Sequence, residues 1–345
     1  MSDELQERIT AAVRRRLERV FDEACACEPS GLFPPPAGSL PLEQARELTL
    51  RSGKRLRAVL LVCGAALFDR DADRKAAVID AAAALELLHT YFLIHDDIMD
   101  EDATRRGGPS AHVALARQTG DDKLGRDLAI LAGDLAVALH EQLVAGLEVD
   151  EARRRTTARV FSEMHFDVVH GQTLDMLGGS DAEEVASRKT ASYTTVGPLV
   201  AGAALAGAGE ERFSQLAELA RPLGVAFQLR DDLLGVFGLP EVTGKPVGTD
   251  LRLGKRTYVI QEALRRASAK CAATIESVLG DGSAPASAIG EVGALLEEIG
   301  ARSACEERIE RLVGGALERL ESESYLDEGK RLLAHVGERL ARRIS

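Results

Sequence analysis

The segment Leu85–Asp100, LELLHTYFLIHDDIMD, holds the densest chemistry in the chain. At 3.6 residues per helical turn Asp96 and Asp100 share one face, and Phe92 and His89 precede them on it. Such a face is no ordinary core stripe, because a buried, unpaired carboxylate costs several kcal/mol. Set among Leu, Ile and Phe, it is no ordinary solvated face either. Carboxylates one turn apart suit a hard divalent cation such as Mg²⁺, which takes oxygen ligands and keeps positions for water and phosphate. The competing reading is a helix end running into an acidic loop, since Glu101 and Asp102 follow. A second acidic pair, Asp231-Asp232, lies in FQLRDDLLG, residues 227–235, again in an apolar helical context. Cations follow each pair: Arg105 and Arg106 after the first, Lys245, Lys255 and Arg256 after the second. Upstream, Gly53-Lys54-Arg55-Leu56-Arg57 sets Lys54 and Arg57 three apart, on one helical face. Any one basic group reads as a solvated helix face. Together with two acidic pairs they form the set that diphosphates require.

Helices must position these groups. Helical periodicity dominates and alternating strand patterns are scarce. Ser2–Cys27 reads as an amphipathic helix stopped by a Pro- and Gly-rich connection up to Pro41. Helical stretches then run over roughly 42–68, 74–100, 110–119, 124–147, 151–177, 182–207, 211–237, 256–279, 286–299 and 301–341. The expectation is one all-α domain over residues 1–345. It comprises an N-terminal helix and connection (1–41), a motif-bearing core (about 42–260) and C-terminal helices (about 261–345). The sheet-free pattern excludes Rossmann and hydrolase scaffolds.

Composition narrows the partners. Of 345 residues, 43 are Lys or Arg and 55 are Asp or Glu, a formal net charge of −12. A basic field for nucleic acid or anionic membrane is therefore missing, although focused cations or bound metal can still hold an anionic substrate. Five scattered cysteines without paired CxxC motifs argue against structural zinc and against a disulfide framework, and for a reducing, cytoplasmic location. Met1–Glu18 lacks the apolar core of a signal peptide. Leu56–Phe68 reads as the longest apolar stretch, too short to span a bilayer.

The ordered set Gly53-Lys54-Arg55-Leu56-Arg57, His89, Asp96-Asp97-Ile98-Met99-Asp100, Arg105-Arg106-Gly107, Gly171-Gln172, Lys189-Thr190, Phe227-Gln228 with Asp231-Asp232, Lys245 and Lys255 resembles that of the trans-isoprenyl diphosphate synthases of the polyprenyl synthetase family. The likeness covers roughly residues 40–260. It implies a bundle of mostly antiparallel helices around a central cavity, commonly a homodimer, that joins isopentenyl diphosphate to an allylic diphosphate such as dimethylallyl or geranyl diphosphate. By the same resemblance Asp96, Asp97, Asp100, Asp231 and Asp232 would hold three Mg²⁺ ions on the allylic diphosphate, with Arg105, Lys189 and Lys255 pairing to it. Lys54, Arg57, His89 and Arg106 would grip isopentenyl diphosphate, and Lys245 joins the substrate-binding set. Thr190 and Gln228 would turn oxygen dipoles toward the allylic cation. The remaining histidines, His95 among them, read as structural.

Three positions depart from the family pattern. Gly235 stands where many relatives carry a third Asp, Ser52 replaces a frequent Gly, and Leu239 falls where an acidic residue often follows. Phe92 lies one turn before Asp96 on the cavity side, so its ring is expected to floor the channel for the growing chain. The resemblance adds Tyr91 to that floor. Two large residues there favour farnesyl over geranylgeranyl diphosphate as the product, against the alternative that both rings simply pack in the core. A terpene cyclase is disfavoured because the chain has no Asn and does have the Lys54, Arg57 and His89 set. A non-catalytic subunit of a partner synthase is the remaining rival, kept alive by Gly235.

Overall fold

The computed structural model describes residues 2–26, 39–178, 180–238 and 248–342, and helices account for nearly all of them, as expected of an all-α protein. Contacts divide the chain into two compact units, Met1–Arg159 with Ala201–Ala208, and Val160–Val200 with Gly209–Ser345.

In the first unit, α1 (Ser2–Ala26) buries Ile9, Val13, Leu17, Val20 and Phe21, a stripe at helical spacing, and packs on α4 (Ala76–Met99). α2 (Leu40–Leu50) starts at Ser39, whose side chain accepts from the Leu42 amide at 3.3 Å. α3 (Leu56–Ala66) is buried from Ala58 to Ala66 and packs against α4, which in turn packs against α6 (Asp122–Ala145). α5 (Ala111–Thr119) also rests on α6. Both α4 and α6 are long and apolar enough to cross a bilayer, which corrects the expectation that Leu56–Phe68 is the longest apolar stretch. The alanines of α4 add hydropathy without bulk, and 72% of its apolar window is buried inside the protein, against 39% for α6. For α4, burial between α1, α3 and α6 gives that apolarity a core role.

The expected stretch 42–68 is two helices. Arg51 turns extended and Arg55 takes the left-handed conformation at φ 48°, so α3 begins only at Leu56. Lys54 therefore precedes the helix and does not share a helical face with Arg57. A short antiparallel hairpin follows α4, β1 (Thr104–Arg105) against β2 (Gly108–Pro109), with Arg105 opposite Gly108. Its two-residue turn has Arg106 at φ 50° and Gly107 at φ 74°, the double positive φ of a type I′ turn.

The second unit takes in most of α7 (Glu151–Leu177), α8 (Ala182–Val185), a π-helix (Ala186–Val196) and the start of α9 (Gly197–Leu205). It continues through α10 (Glu210–Phe237), α11 (Thr249–Arg252), α12 (Tyr258–Arg266) and α13 (Ala269–Val278). α14 (Ala286–Glu298), α15 (Ala301–Ser322) and α16 (Asp327–Arg342) complete it. α10 packs against the π-helix, α15 and α16, over a core that includes Leu229, Leu233, Ile260 and Val292. The stretches expected as 256–279 and 301–341 each split in two, the first where Ser268 caps α13 and the second where Glu323 turns extended.

Candidate active site

A cluster of cations forms around His89 in the first unit. His89 is 6% exposed, and its Nε2 lies 3.2 Å from Nη1 of Arg57, which sits in the first turn of α3. A guanidinium only donates, so Nε2 accepts and the ring proton stays on Nδ1. Burial first, and then Arg57, Arg106, Arg55 and Arg105, hold the His89 pKa well below the ordinary value. The ring is therefore neutral at pH 7. Arg106 lies over Gly53, with Nη1 3.3 Å from the Leu48 carbonyl. Its pKa is pulled down to about 10 by burial, and the neighbouring Arg55, Arg57 and Arg105 add to the depression against Glu86. Lys54 stands exposed beside this cluster in sequence.

Two groups that sequence reasoning missed brace these cations. Arg55 is almost fully buried and donates from Nη1 to Glu86 Oε2 at 2.7 Å, and from Nη2 to the carbonyls of Thr49 and Arg51. Arg51 donates to the Arg105 carbonyl at 2.7 Å and the Pro109 carbonyl at 2.8 Å, clamping the hairpin that carries Arg105 and Arg106. Glu86 could have been suspected as a carboxylate inside an apolar run. Its partner is 31 residues away, and no periodicity points there.

At the end of α4 the helix carries through Asp100, whose amide bonds to the Asp96 carbonyl at 2.8 Å, so Asp96 and Asp100 do share a face. Asp97 points inward. It is 0% exposed, and Oδ1 accepts from Nε of Arg105 at 2.7 Å and also from its Nη2. Asp102 accepts from Arg105 at 3.1 Å, and Asp96 lies 3.8 Å from the same guanidinium. Burial pushes the Asp97 carboxyl up to about 6, with Arg105 pulling the other way. Among the described residues Asp97 Oδ2 finds no hydrogen-bond partner, an orphaned buried oxygen that a cation or bound water would satisfy. Among the described residues no three His, Cys, Asp or Glu side chains converge on one metal position. A divalent ion here must complete its shell with water or substrate oxygens, which is the habit of Mg²⁺. Tyr91 and Phe92 are half-buried one turn earlier, with ring centroids 5.3 Å apart.

In the second unit Lys189 and Thr190 sit within the π-helix, inside the stretch 182–207 expected to be helical. A π-helix is an uncommon winding that often marks functional positions. Lys189 Nζ bonds to Asp175 Oδ2 at 2.7 Å, a carboxylate that sequence reasoning passed over although it stands one turn beyond Gly171. Thr190 Oγ1 donates to Gln228 Oε1 at 2.6 Å, and Gln228 Nε2 donates to Asp232 Oδ1 at 2.8 Å. This relay fixes the amide of Gln228 and runs straight into the second acidic pair. Asp232 is 7% exposed, and burial pushes it up to about 7 against the Gln228 hydrogen bond, with Asp250 and Asp231 adding repulsion.

Asp250 is the other missed residue. A Cβ built on Gly235 would lie 2.0 Å from Asp250 Oδ2, so a carboxylate from α11 already fills the place where a third acidic side chain of the motif would start. Gly235 leaves room for it. Lys255 follows α11 with its amide on the Asp250 carbonyl at 2.9 Å. Arg256 pairs with Glu276 on an exposed surface. Gln172 is buried on α7. Lys245 and Leu239 lie outside the described residues.

The polyprenyl synthetase family model matches residues 41–297, extending past the 40–260 expected from the motifs. The chain belongs to this family. A geranylfarnesyl diphosphate synthase of Aeropyrum pernix is 39% identical over 230 residues, which cover 62% of this chain and 67% of that one. A farnesyl diphosphate synthase of Geobacillus stearothermophilus is 34% identical over 254 residues, 70% of this chain and 81% of that one. The crystal structure of a geranylgeranyl pyrophosphate synthase from Corynebacterium glutamicum, complexed with isoprenyl diphosphate and magnesium, superposes with a TM-score of 0.88 at 32% identity and covers 100% of both chains. This polyprenyl synthetase is accordingly a prenyltransferase with the all-α fold of the isoprenyl synthases. Its relatives make products of several lengths, so length must be argued from its own side chains.

Proposed function

We propose that this enzyme condenses isopentenyl diphosphate head-to-tail with dimethylallyl or geranyl diphosphate to give a short-chain all-trans prenyl diphosphate, farnesyl diphosphate as the end product. The observation that carries the reading is the cation cluster at His89 on the same helix as Asp96 and Asp100. Seven residues of α4 separate His89 from Asp96, about 10 Å along the axis. α4 thus carries His89, around which cations from α3 and the hairpin gather as a seat for one diphosphate, and further along a carboxylate pair suited to a metal-bound second one. Arg106, depressed to about 10 by burial and by the neighbouring Arg55, Arg57 and Arg105, gains from an anion placed beside it and Arg57.

Arg57, Arg106, Lys54 and neutral His89 hold isopentenyl diphosphate, His89 through the proton on Nδ1. Arg105, braced by Asp97 and Asp102, pairs with the allylic diphosphate, as do Lys189 and Lys255, with Lys245 added to the substrate set. Asp96 and Asp100 on α4, with the orphaned oxygen of Asp97 behind them, and Asp231, Asp232 and Asp250 in the second unit are the oxygen donors for Mg²⁺, three ions in all. When bound, Mg²⁺ neutralises charge growing on the leaving diphosphate. Thr190 and Gln228 orient oxygen dipoles toward the allylic carbon. The departing diphosphate takes the proton lost after the new bond forms, so no side chain need act as base.

Phe92 and Tyr91 floor the chain channel, which favours farnesyl diphosphate. Residues 1–345 act as one prenyltransferase domain. Phe166, Val169, Met176 and Leu177 form an exposed apolar stripe on α7 at helical spacing, which supports a homodimer. Buried free thiols at Cys63 and Cys305 suit the reducing cytoplasm.

The test is product analysis. The protein is incubated with Mg²⁺, isopentenyl diphosphate and, separately, dimethylallyl, geranyl and farnesyl diphosphates, and chain lengths are read by mass spectrometry. A farnesyl end-point supports the whole reading. Extension to geranylgeranyl diphosphate keeps the enzyme and removes the floor. No elongation from any primer leaves a non-catalytic subunit.

A further inference from the structure

His95 was set aside as structural, yet its ring is the piece that backs the aromatic pair. On α4 it stands one turn after Tyr91. The two ring centroids are 4.5 Å apart at 57°, and Tyr91 is in turn 5.3 Å from Phe92. His95 Nδ1 lies 3.1 Å from the Tyr91 carbonyl oxygen, so Nδ1 donates there and the ring cannot rotate without losing that bond. The Nδ1–Cε1 edge of the same ring lies against α6 at Gly133, which is buried. A Cβ built on Gly133 would come within 2.3 Å of His95 Cε1 and 2.7 Å of Nδ1. No side chain larger than hydrogen fits at residue 133 while the ring stays in place. The result is a continuous run of contacts from α6 backbone through His95 and Tyr91 to Phe92, the rings tilted at 57° and 52° to one another.

We propose that His95 and Gly133 are positioning residues for product length. Together they wedge Tyr91, and through it Phe92, at a fixed depth, so the space open to the growing prenyl chain is set by three tilted rings in contact and a glycine. This rests on the floor assignment made above for Tyr91 and Phe92. Neither residue belongs to the groups assigned above to the diphosphates or the reacting carbons, so the first condensation should proceed unchanged while chain termination moves.

The experiment compares product spectra from geranyl diphosphate plus isopentenyl diphosphate for the wild-type enzyme and for Phe92→Ala, Tyr91→Ala, His95→Ala, His95→Phe, Gly133→Ala and the double variant His95→Ala/Gly133→Ala. kcat/KM for the first condensation and circular dichroism are measured alongside. His95→Ala should let Tyr91 lean toward α6 and shift the main product by one five-carbon unit, with kcat/KM for the first condensation within about threefold of wild type. His95→Phe, which keeps a ring, should retain the wild-type length. Gly133→Ala should push the His95 ring onto Tyr91 and raise the share of shorter product. Adding it to His95→Ala should change nothing further, because the group it collides with is gone. If Phe92→Ala or Tyr91→Ala lengthens the product while folded His95→Ala leaves it unaltered, the wedge is wrong and the floor stands. If none of the aromatic variants moves the product, the floor itself fails and the wedge with it. Should Gly133→Ala not fold, the His95→Ala and His95→Phe pair decides alone.

Discussion

The buried pair Arg55–Glu86 yields the sharpest prediction. Side-chain exposure is 4% for Arg55 and 2% for Glu86, at 2.7 Å, so solvent screens the pair little. Glu86→Gln keeps the shape and an acceptor but strands a guanidinium charge in the core. Breaking a buried pair by removing one partner costs about 3–5 kcal/mol. The amide can still accept one hydrogen bond from Arg55, which places the loss near the lower end, about 3 kcal/mol. Replacing both partners with apolar residues is a different matter, because no charge remains to be stranded. Arg55→Met/Glu86→Leu should recover part of the loss. Recovery is incomplete, since the carbonyls of Thr49 and Arg51 lose their donor at roughly 1 kcal/mol each. The assay is urea denaturation at pH 7 of wild type, each single variant and the double, followed by circular dichroism and by intrinsic tyrosine fluorescence to check for a single transition. A drop of less than about 1 kcal/mol in Glu86→Gln would refute the claim that this pair is desolvated and essential to the α2–α3 junction. A double variant less stable than both singles would refute the stranded-charge mechanism.

The remaining expectations concern the site. Asp231→Ala and Asp96→Ala should each lower kcat by about 10²-fold or more with circular dichroism unchanged; near-wild-type turnover in either would remove that residue from the metal set. Asp232 has a folded pKa of about 7, raised above its usual 3.8, so its protonated form is the one favoured in the metal-free protein. Its stabilising effect is full below about pH 4 and is lost as pH rises toward 7. Metal must displace that proton, so titration calorimetry with Mg²⁺ and inorganic diphosphate should show weaker binding and greater proton release at pH 6 than at pH 8, and equal values would contradict it. Gly235→Asp should impair Mg²⁺-dependent binding because its Cβ would fall 2.0 Å from Asp250 Oδ2, while Gly235→Asp/Asp250→Ala should restore it; improvement by the single variant would show that Asp250 does not fill that place.

The sequence by itself determined everything that lies along one helix. Asp96, Asp100, Phe92 and His89 are set on α4 by the 3.6-residue period alone, and the all-α class follows from the same periodicity repeated down the chain. Composition likewise argued against a general nucleic-acid or anionic-membrane binder while leaving room for an anionic substrate. Helix breaks were less legible: the Arg51–Arg55 break depends on a left-handed arginine, and propensity assigns that conformation to no particular residue outside glycine. What only the tertiary structure decided are pairings between distant segments. Glu86 spends its charge on Arg55, Asp97 turns inward to Arg105 while its neighbour Asp96 stays partly exposed, Lys189 is held by Asp175, and Asp250 takes the place beside Gly235. Each joins groups on different elements, so its existence depends on how helices pack and on which polar atoms burial leaves in need of a partner. Local spacing carries neither quantity. The same packing put His95 against Gly133 and beside the Tyr91 ring, contacts that no spacing in the sequence indicates.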